Sequence, residues 1–302
     1  MKEPKWYRYV LYGLFVIARS CLPLLPFGVV QTIGKGLGTV AYGMLHHQRR
    51  VALEHLTLAL GNRYAPAERR RIIRRMFQHL GMTGMEWLAL PRLTAADVQR
   101  LVRVEGSEHV QQALQRGKGL IVLSAHVGNW EMLMAYFGLF GGFRGAAIAR
   151  RLRYPEYEVW LRRMRESKHV ETLDRDVGPK EMIRRLRANE GLGILADQDV
   201  DSIEGIFVDF FGRPAYTPTG PAALALTTGA AMLPAYIWRE GRQFHLRVEE
   251  PIAIRDTGNR ARDLREITEA WSRVTERMIT AHPEQWVWMH RRWKTQPETV
   301  TR

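Results

Sequence analysis

A short strand pattern, a polar loop and an apolar helix pattern follow one another directly in the middle of the chain. The apolar run 120–123 predicts a buried strand, and the apolar segment after residue 131 predicts a helix. Between them lies Ser-Ala-His-Val-Gly-Asn-Trp-Glu, residues 124–131. Open α/β sheets keep their functional groups where strands end and helices begin. We therefore expect His126 and Glu131 at such a junction.

The same alternation extends over half of the chain. Strand and helix patterns take turns from residue 102 to residue 254, which is typical of an α/β domain. With 302 residues, 46% of them hydrophobic, the chain can bury a large core. The predicted fold is α/β, with a central, mostly parallel mixed sheet flanked by helices. The aromatic-rich stretch 206–221 is predicted to be a loop.

The spacing of His126 and Glu131 restricts how they can meet. Five residues along one helix turn the second side chain about 140° away from the first. The two meet only if His126 lies on the loop and Glu131 on the first helical turn, with Gly128 allowing the bend. A carboxylate beside the imidazole would fix its tautomer and favour a general base near neutral pH. A purely structural pair explains the spacing equally well.

A second polar group follows another predicted strand. Asp197, Gln198 and Asp199 come directly after the run 194–196. Strands of a parallel sheet end at the same edge, so this cluster is expected to face His126. From the sequence, Asp197 is either a site residue or a turn cap.

Several reaction classes lack their motifs. No G-x-S-x-G, complete Walker loop or H-E-x-x-H occurs, and the one cysteine, Cys21, lies in an apolar segment. The remaining chemistry is a histidine base that activates a substrate hydroxyl for acyl or phosphoryl transfer. No metal or cofactor is expected.

The N-terminal segment is apolar. Residues 6–42 carry three charges, Arg8, Arg19 and Lys35. A spanning helix needs about 20 apolar residues, so a tilted anchor, an interfacial hairpin and a buried helix all remain open, and we favour membrane attachment. The expected division is a membrane-anchoring segment, 1–45, and a catalytic domain, 46–302. The glycines at 34–38, in the N-terminal segment, indicate close helix packing.

The net charge of +14 predicts an anionic partner. A nucleic acid, a membrane, a phosphorylated substrate and an acidic protein all fit. The segment 282–294 holds three tryptophans together with arginines and a lysine. It is interpreted as an aromatic and cationic interface region or as a nucleic-acid platform.

Four strings in order resemble the lipid A late acyltransferases, within the glycerolipid acyltransferase superfamily. They are residues 124–131, Ala-Asp-Gln at 196–198, residues 208–215 with Thr-Gly-Pro at 219–221, and residues 282–294. The resemblance implies an acyl-carrier-protein thioester as donor and a hydroxyl of a phosphorylated lipid A precursor as acceptor. It also implies attachment to the cytoplasmic face of the inner membrane, and no nucleic-acid partner.

The resemblance assigns roles to single residues. It makes His126 the base and Glu131 the group that orients it. It makes an arginine a phosphate ligand, with Arg150 and Arg151 as the nearest matches.

Further residues are expected to bind substrate. Asp197 and Gln198 match a family site block, and Asn129 lies inside the first string. Independently, the aromatic residues around Phe211 are expected to form a tunnel that measures acyl length.

Three alternatives stay open at this stage. The same fold could acylate another glycolipid, aminolipid or lysophospholipid, with acyl-CoA or acyl carrier protein as donor. A thioesterase would use water in place of the acceptor. From a different class, a basic membrane- or nucleic-acid-binding protein would carry the histidine and glutamate as a structural pair.

Overall fold

A computed structural model describes residues 7–297. Helices fill the first third: α1 (Tyr7–Cys21), α2 (Phe27–Met44), α3 (His46–Leu60), α4 (Pro66–Ala89) and α5 (Ala95–Leu101). The middle alternates as β1 (Val102–Glu105), α6 (Ser107–Gln115), β2 (Leu120–Ser124), α7 (Trp130–Phe140), β3 (Gly145–Ala149), α8 (Pro155–Glu166), β4 (Val170–Asp174), α9 (Pro179–Arg187) and β5 (Gly191–Leu195). The last part comprises β6 (Gly205–Asp209), β7 (Pro214–Pro218), α10 (Gly220–Thr228), β8 (Ala231–Glu240), β9 (Gln243–Val248) and α11 (Arg260–Ala281).

Within residues 7–297, a seven-stranded sheet runs in the order β1-β9-β8-β2-β5-β3-β4. The pairs are parallel except β8 with β9, which is antiparallel. Buried clusters lie on both faces under the surrounding helices. The predicted α/β fold with a mostly parallel sheet is thereby confirmed.

The register of two central strands aligns the polar clusters that follow them. Ser124, at the end of β2, pairs with Leu195, at the end of β5. Both strands run in the same direction, so His126 and Asp197 each lie two residues beyond this last pair. The expected shared edge is present.

Two elements depart from the expectation. Residues predicted to form one loop contain the antiparallel hairpin β6–β7. Its prolines, Pro214 and Pro218, lie at the ends of β7, where a two-stranded ribbon tolerates them and where they read as loop signals. The sequence reading also missed β4, a five-residue edge strand.

Close packing of α2 against α4 confirms the interpretation of the N-terminal glycines. A Cβ on Gly34 would lie 2.6 Å from the carbonyl oxygen of Gly81, and one on Gly38 would lie 2.2 Å from that of Phe77. Side chains at these positions would separate the helices.

The outer faces of α1 and α2 are apolar and exposed. On α2 the exposed row consists of Val29, Ile33, Leu37, Val40 and Met44, spaced by three or four residues. Among residues 7–297, none of the helices has the length and apolar character needed to cross a bilayer. The anchor is therefore not confirmed, and the division at residue 45 stays a prediction.

Candidate active site

The loop after β2 is held in a left-handed turn. Gly128 has φ +61°, and a Cβ there would lie 2.2 Å from the carbonyl oxygen of Ile237. Its N–H donates to the carbonyl of Gln285 at 3.0 Å, and its carbonyl accepts from the hydroxyl of Thr83 at 3.0 Å. The bend expected at Gly128 is confirmed, and the turn fixes the backbone that carries His126.

The carboxylate that holds the ring of His126 belongs to Asp197. Nδ1 of His126 lies 2.7 Å from Oδ1, and the backbone N–H of His126 donates to Oδ2 at 3.0 Å. The indole N–H of Trp286 donates to the same Oδ2 at 2.7 Å. Both carboxylate oxygens of Asp197 thus accept hydrogen bonds within the protein, whereas a substrate-binding role was predicted for this residue from the sequence.

Asp197 is kept ionised although it is buried. Burial alone would raise the pKa of this carboxyl, but the nearby imidazole and the hydrogen bonds from His126 and Trp286 outweigh it, and the pKa lies well below the ordinary value. An ionised acceptor requires that Nδ1 of His126 carry a proton. The lone pair of a neutral ring is then on Nε2, as a general base requires.

Glu131 serves a different partner, so the expectation that it orients His126 is wrong. Its two oxygens accept from Nε of Arg165 at 2.9 Å and from a terminal nitrogen of Arg165 at 2.6 Å. Both side chains are buried, with exposures of 1% and 8%. Because Glu131 lies one residue into α7, it turns toward α8, while His126 remains on the loop.

Asn129 is also a structural residue, contrary to the substrate-binding role expected for it. Its oxygen caps α7 by accepting from the N–H of Met132 at 3.0 Å, and it accepts from the indole of Trp87 at 3.2 Å. Its amide donates to Glu86 at 2.8 Å. Asn129 is 1% exposed, so a substrate cannot reach it.

A cavity of about 460 Å³ opens beside His126 between α7 and the sheet. Near its polar end lie His126, Trp130, Gln198 and three arginines. Its depth is apolar, and it shares Val122, Leu133, Met134, Ala147 and Gly193 with a smaller inner cavity of about 30 Å³. Phe143 and Gly191 belong to the inner cavity. This shape and lining are typical of a site for a long apolar ligand with a polar head.

The arginines of the cavity are Arg150, Arg165 and Arg175. Arg150 is exposed, whereas Arg151 forms an ion pair with Asp174 and does not line the cavity. Nε of Arg175 is buried and has no hydrogen-bond partner among the described residues, although the Asp176 carboxylate is 3.5 Å away. Of the two candidate arginines, Arg150 therefore lines the cavity and Arg151 does not, and Arg175 lines it as well.

Gln198 joins two histidines at the polar end. Its amide nitrogen lies 3.2 Å from each ring nitrogen of His126 and also contacts Nε2 of His290. Burial lowers the pKa of His290, which favours its neutral form. The sequence reading missed His290, although it singled out the segment 282–294 that contains it.

Phe211 lies away from this cavity, so its expected contact with the acyl chain is not found. Its ring packs against Phe210 and Trp288 in a separate core cluster. Trp286 and Trp288 are 1% and 0% exposed. These two rings are too deeply buried to stack on bases, which removes them from the predicted nucleic-acid platform. Among the residues that the structure describes, no cluster of His, Cys, Asp and Glu is arranged to hold a metal ion.

Comparison with known proteins identifies the family. The model of the bacterial lipid A biosynthesis acyltransferases matches residues 2–295. The chain belongs to this family. It is 30% identical to the lipid A biosynthesis lauroyltransferase of Escherichia coli over 97% of this chain and 94% of that enzyme. It is 25% identical to the E. coli palmitoleoyltransferase of lipid A biosynthesis over 90% of this chain and 87% of that enzyme.

A second group of relatives acts on a different glycolipid by name. The phosphatidylinositol mannoside acyltransferase of Mycobacterium tuberculosis is 34% identical over 70% of this chain and 67% of that enzyme. The relatives of this acyltransferase therefore include enzymes named for both kinds of acceptor.

Proposed function

We propose that this acyltransferase moves a fatty acyl chain from an acyl-carrier-protein thioester to a hydroxyl of a lipid A precursor. The observation that carries the proposal is the pair His126–Asp197 at the polar end of an apolar cavity. The pair supplies a base, and the cavity supplies room for the chain. Family membership supports the reaction class.

The chemistry follows from the protonation of the pair. Nε2 of His126 removes the proton of the acceptor hydroxyl, and Asp197 stabilises the imidazolium that forms. The alkoxide oxygen attacks the thioester carbonyl, an oxyanion forms, and the C–S bond breaks as the ester is completed. The imidazolium then protonates the departing thiolate, which returns His126 to its neutral form.

The oxyanion needs donors near the reacting carbon. The amide of Gln198 is 3.2 Å from Nε2 of His126, so it is a side-chain donor close to the point of attack. Arg165 adds a fixed positive charge to the cavity, held by Glu131 through two hydrogen bonds. In this proposal Glu131 is a positioning residue that acts through Arg165.

The apolar depth of the cavity receives the acyl chain. Glycine and alanine on the strands, Ala147 and Gly193, leave room above the sheet, and Phe143 stands in the inner cavity. A chain that enters past His126 would lie along α7 and end against this ring. Acyl length is then set by how far the inner cavity extends.

The exposed arginines receive the anionic parts of the substrates. Arg150 is exposed and lines the cavity, and Arg175 lines it with a buried donor that has no hydrogen-bond partner among the described residues. Guanidinium groups bind phosphate with two parallel hydrogen bonds. A phosphorylated acceptor and an acidic carrier protein both fit this surface, and the net charge of +14 favours their approach.

The exposed apolar row of α2 supports membrane association without a span. An amphipathic helix of this kind lies in the interface with its apolar face among the acyl chains. We therefore propose attachment of the enzyme to the cytoplasmic face of the inner membrane through α1 and α2, where a lipid acceptor is within reach.

A transfer assay tests the function. Purified enzyme is offered acyl-carrier-protein and coenzyme A thioesters, each with a lipid A precursor or a phosphatidylinositol mannoside, and products are identified by mass. We expect acylation of the lipid A precursor from the carrier protein, and loss of transfer in His126→Ala. Transfer to the mannoside alone would move the proposal to that acceptor, and thioester hydrolysis without any transfer would contradict it.

A further inference from the structure

A second, polar cavity lies away from His126. Its volume is about 580 Å³, and it is formed by α2, α4, the β8–β9 turn and the segment after α11. Among the described residues it shares no lining residue with the active-site cavity. Neither the acyl chemistry nor the proposed membrane contact uses it.

Three cations that point to this cavity lack an acidic partner. Lys35, Arg75 and Arg242 line it, and none of them forms an ion pair within residues 7–297. The guanidinium of Arg242 lies over the backbone of α2, where a Cβ on Gly28 would be 2.9 Å from its terminal nitrogen. The three exposed side chains come from α2, α4 and the β8–β9 turn, so an anion in the cavity would meet cations from three elements.

The floor of the cavity holds a histidine beside an arginine that is paired with Glu86. His79 lines it, and its Nδ1 is 2.8 Å from a terminal nitrogen of Arg239. An arginine can only donate, so Nδ1 of His79 accepts, and Nε2 carries the proton. Burial, followed by the charges of Arg239, Arg75 and Lys35, lowers the pKa of His79 to about 3.

Two acidic residues, Glu240 and Glu284, also line the cavity. Glu240 accepts from Nε2 of His245 at 2.7 Å. Burial lowers the pKa of His282, and the charges of Glu284 and Glu240 oppose that shift, so both acids lie near His282. Among residues 7–297 neither acid forms an ion pair with the three cations, and the charges that act on the pKa of His79 are those of Arg239, Arg75, Lys35 and His282.

We propose that the His79 end of this cavity is a binding site for a phosphate-bearing anion. Lys35, Arg75 and Arg242 provide the charge, and Nε2–H of His79 provides a neutral donor on the floor. A phosphate monoester, with its charge and its three acceptor oxygens, matches this set of donors.

The position of the cavity suggests how the anion reaches it. Gly28 and Thr32 line the cavity, and each directly precedes a member of the exposed apolar row, Val29 and Ile33. Consecutive helical residues lie about 100° apart, so the cavity opens beside that row. A lipid headgroup and a phosphate in solution both have access.

The site also contacts the network under the catalytic loop. Arg239, which binds His79, donates to Glu86 at 3.1 Å, and Glu86 accepts from Asn129 at 2.8 Å. Asn129 caps the helix that follows His126. An anion bound at His79 is therefore connected to the cap of α7 through the side chains of His79, Arg239 and Glu86.

Two binding measurements on the full-length enzyme test the site and its source. In the first, inorganic phosphate is titrated while the imidazole signals of His79, assigned with His79→Gln, are followed by NMR at fixed pH and ionic strength, with acetate as the control anion. In the second, the enzyme is sedimented with phosphatidylcholine vesicles with and without phosphatidic acid. Arg75→Gln and Arg242→Gln remove cavity charges, and Arg70→Gln is the matched control on the exposed part of α4.

We expect inorganic phosphate, vesicles with phosphatidic acid, or both to bind the enzyme. The affinity should be about tenfold lower in Arg75→Gln and Arg242→Gln, since each variant removes a charged hydrogen bond. Arg70→Gln and the transfer-deficient His126→Ala should bind as the parent does, which separates this site from the acyl-transfer proposal. A response to phosphate identifies a free anion, and a response to phosphatidic acid alone identifies a headgroup. No response to either probe, or equal binding by Arg242→Gln and Arg70→Gln, would overturn the proposal.

Discussion

Nδ1 of His126 lies 2.7 Å from Oδ1 of Asp197, although the two residues are 71 positions apart in the chain. The contact arises because β2 and β5 are adjacent and parallel and end at the same register pair. The nearby carboxylate in the sequence, Glu131, faces Arg165 instead. Sheet topology, and not local spacing, thus selects the partner of His126.

Removal of the charge of Asp197 should impair the chemical step. In Asp197→Asn the amide no longer stabilises the imidazolium or fixes the tautomer of His126, and we expect kcat to fall by about a hundredfold or more with little change in KM. Asp201→Asn, at an exposed ion pair with Lys294, is the matched control. Equal kcat values for the two variants would argue against the His126–Asp197 pair.

Glu131 should act on stability and on Arg165. Glu131→Gln leaves the buried guanidinium without its carboxylate, so we expect a loss of about 3–5 kcal/mol in the free energy of unfolding. The pH at which kcat/KM falls on the acidic side should not change, since Asp197 holds His126. A shifted acidic limb with unchanged stability would instead show that Glu131 acts on the imidazole.

Acyl length should respond to the inner cavity. Phe143→Ala lengthens the space at its end, so we expect a preference for longer donors. Gly193→Val fills space, because a Cβ at Gly193 meets its nearest atom at 3.9 Å, and it should favour shorter donors. Phe211→Ala is the control, since Phe211 packs in another cluster. Competition between acyl thioesters of different length, with the products identified by mass, measures the acyl preference. Identical product profiles for all variants would contradict the assignment of the inner cavity to the acyl chain.

His79 should make the fold sensitive to mild acid. Its pKa is lowered from 6.5 to about 3, so the unfolded chain binds this proton first as the pH falls. The stabilisation is complete above about pH 6.5 and is lost progressively between about pH 6.5 and pH 3, with a slope of up to about 1.4 kcal/mol per pH unit. The free energy of unfolding, measured with denaturant at pH 7, 6 and 5, should fall less steeply with decreasing pH in His79→Gln than in the parent enzyme. The same pH dependence of the free energy of unfolding in both proteins would contradict the lowered pKa of His79.

Vesicle binding should depend on the apolar row of α2. Replacement of Val29, Ile33 and Leu37 by serine removes three exposed apolar groups, and we expect at least a tenfold loss of binding. Phe140→Ser changes an exposed apolar residue at the end of α7 and is the control. Unchanged helicity, measured by circular dichroism, shows that α2 persists. Equal binding by the triple variant and the control would place membrane contact elsewhere.

The sequence alone determined the class of the fold and the location of the candidate site. Apolar runs at strand length, helix patterns between them and polar residues at the strand ends are local signals, and they gave the α/β sheet and the strand ends at His126 and Asp197. The four ordered strings also gave the family. Local signals were weaker for short or irregular strands, so β4 and the β6–β7 hairpin were missed.

Which side chains touch was decided only by the tertiary structure. Parallel pairing joined Asp197 to His126, while the orientation of α7 against α8 gave Glu131 to Arg165. Helix packing turned Asn129 into a cap and placed Phe211 in a core cluster, and the polar cavity at His79 drew on four separate segments. Side-chain partners at long separation depend on strand order, register and helix orientation, and neither residue type nor spacing along the chain encodes these locally.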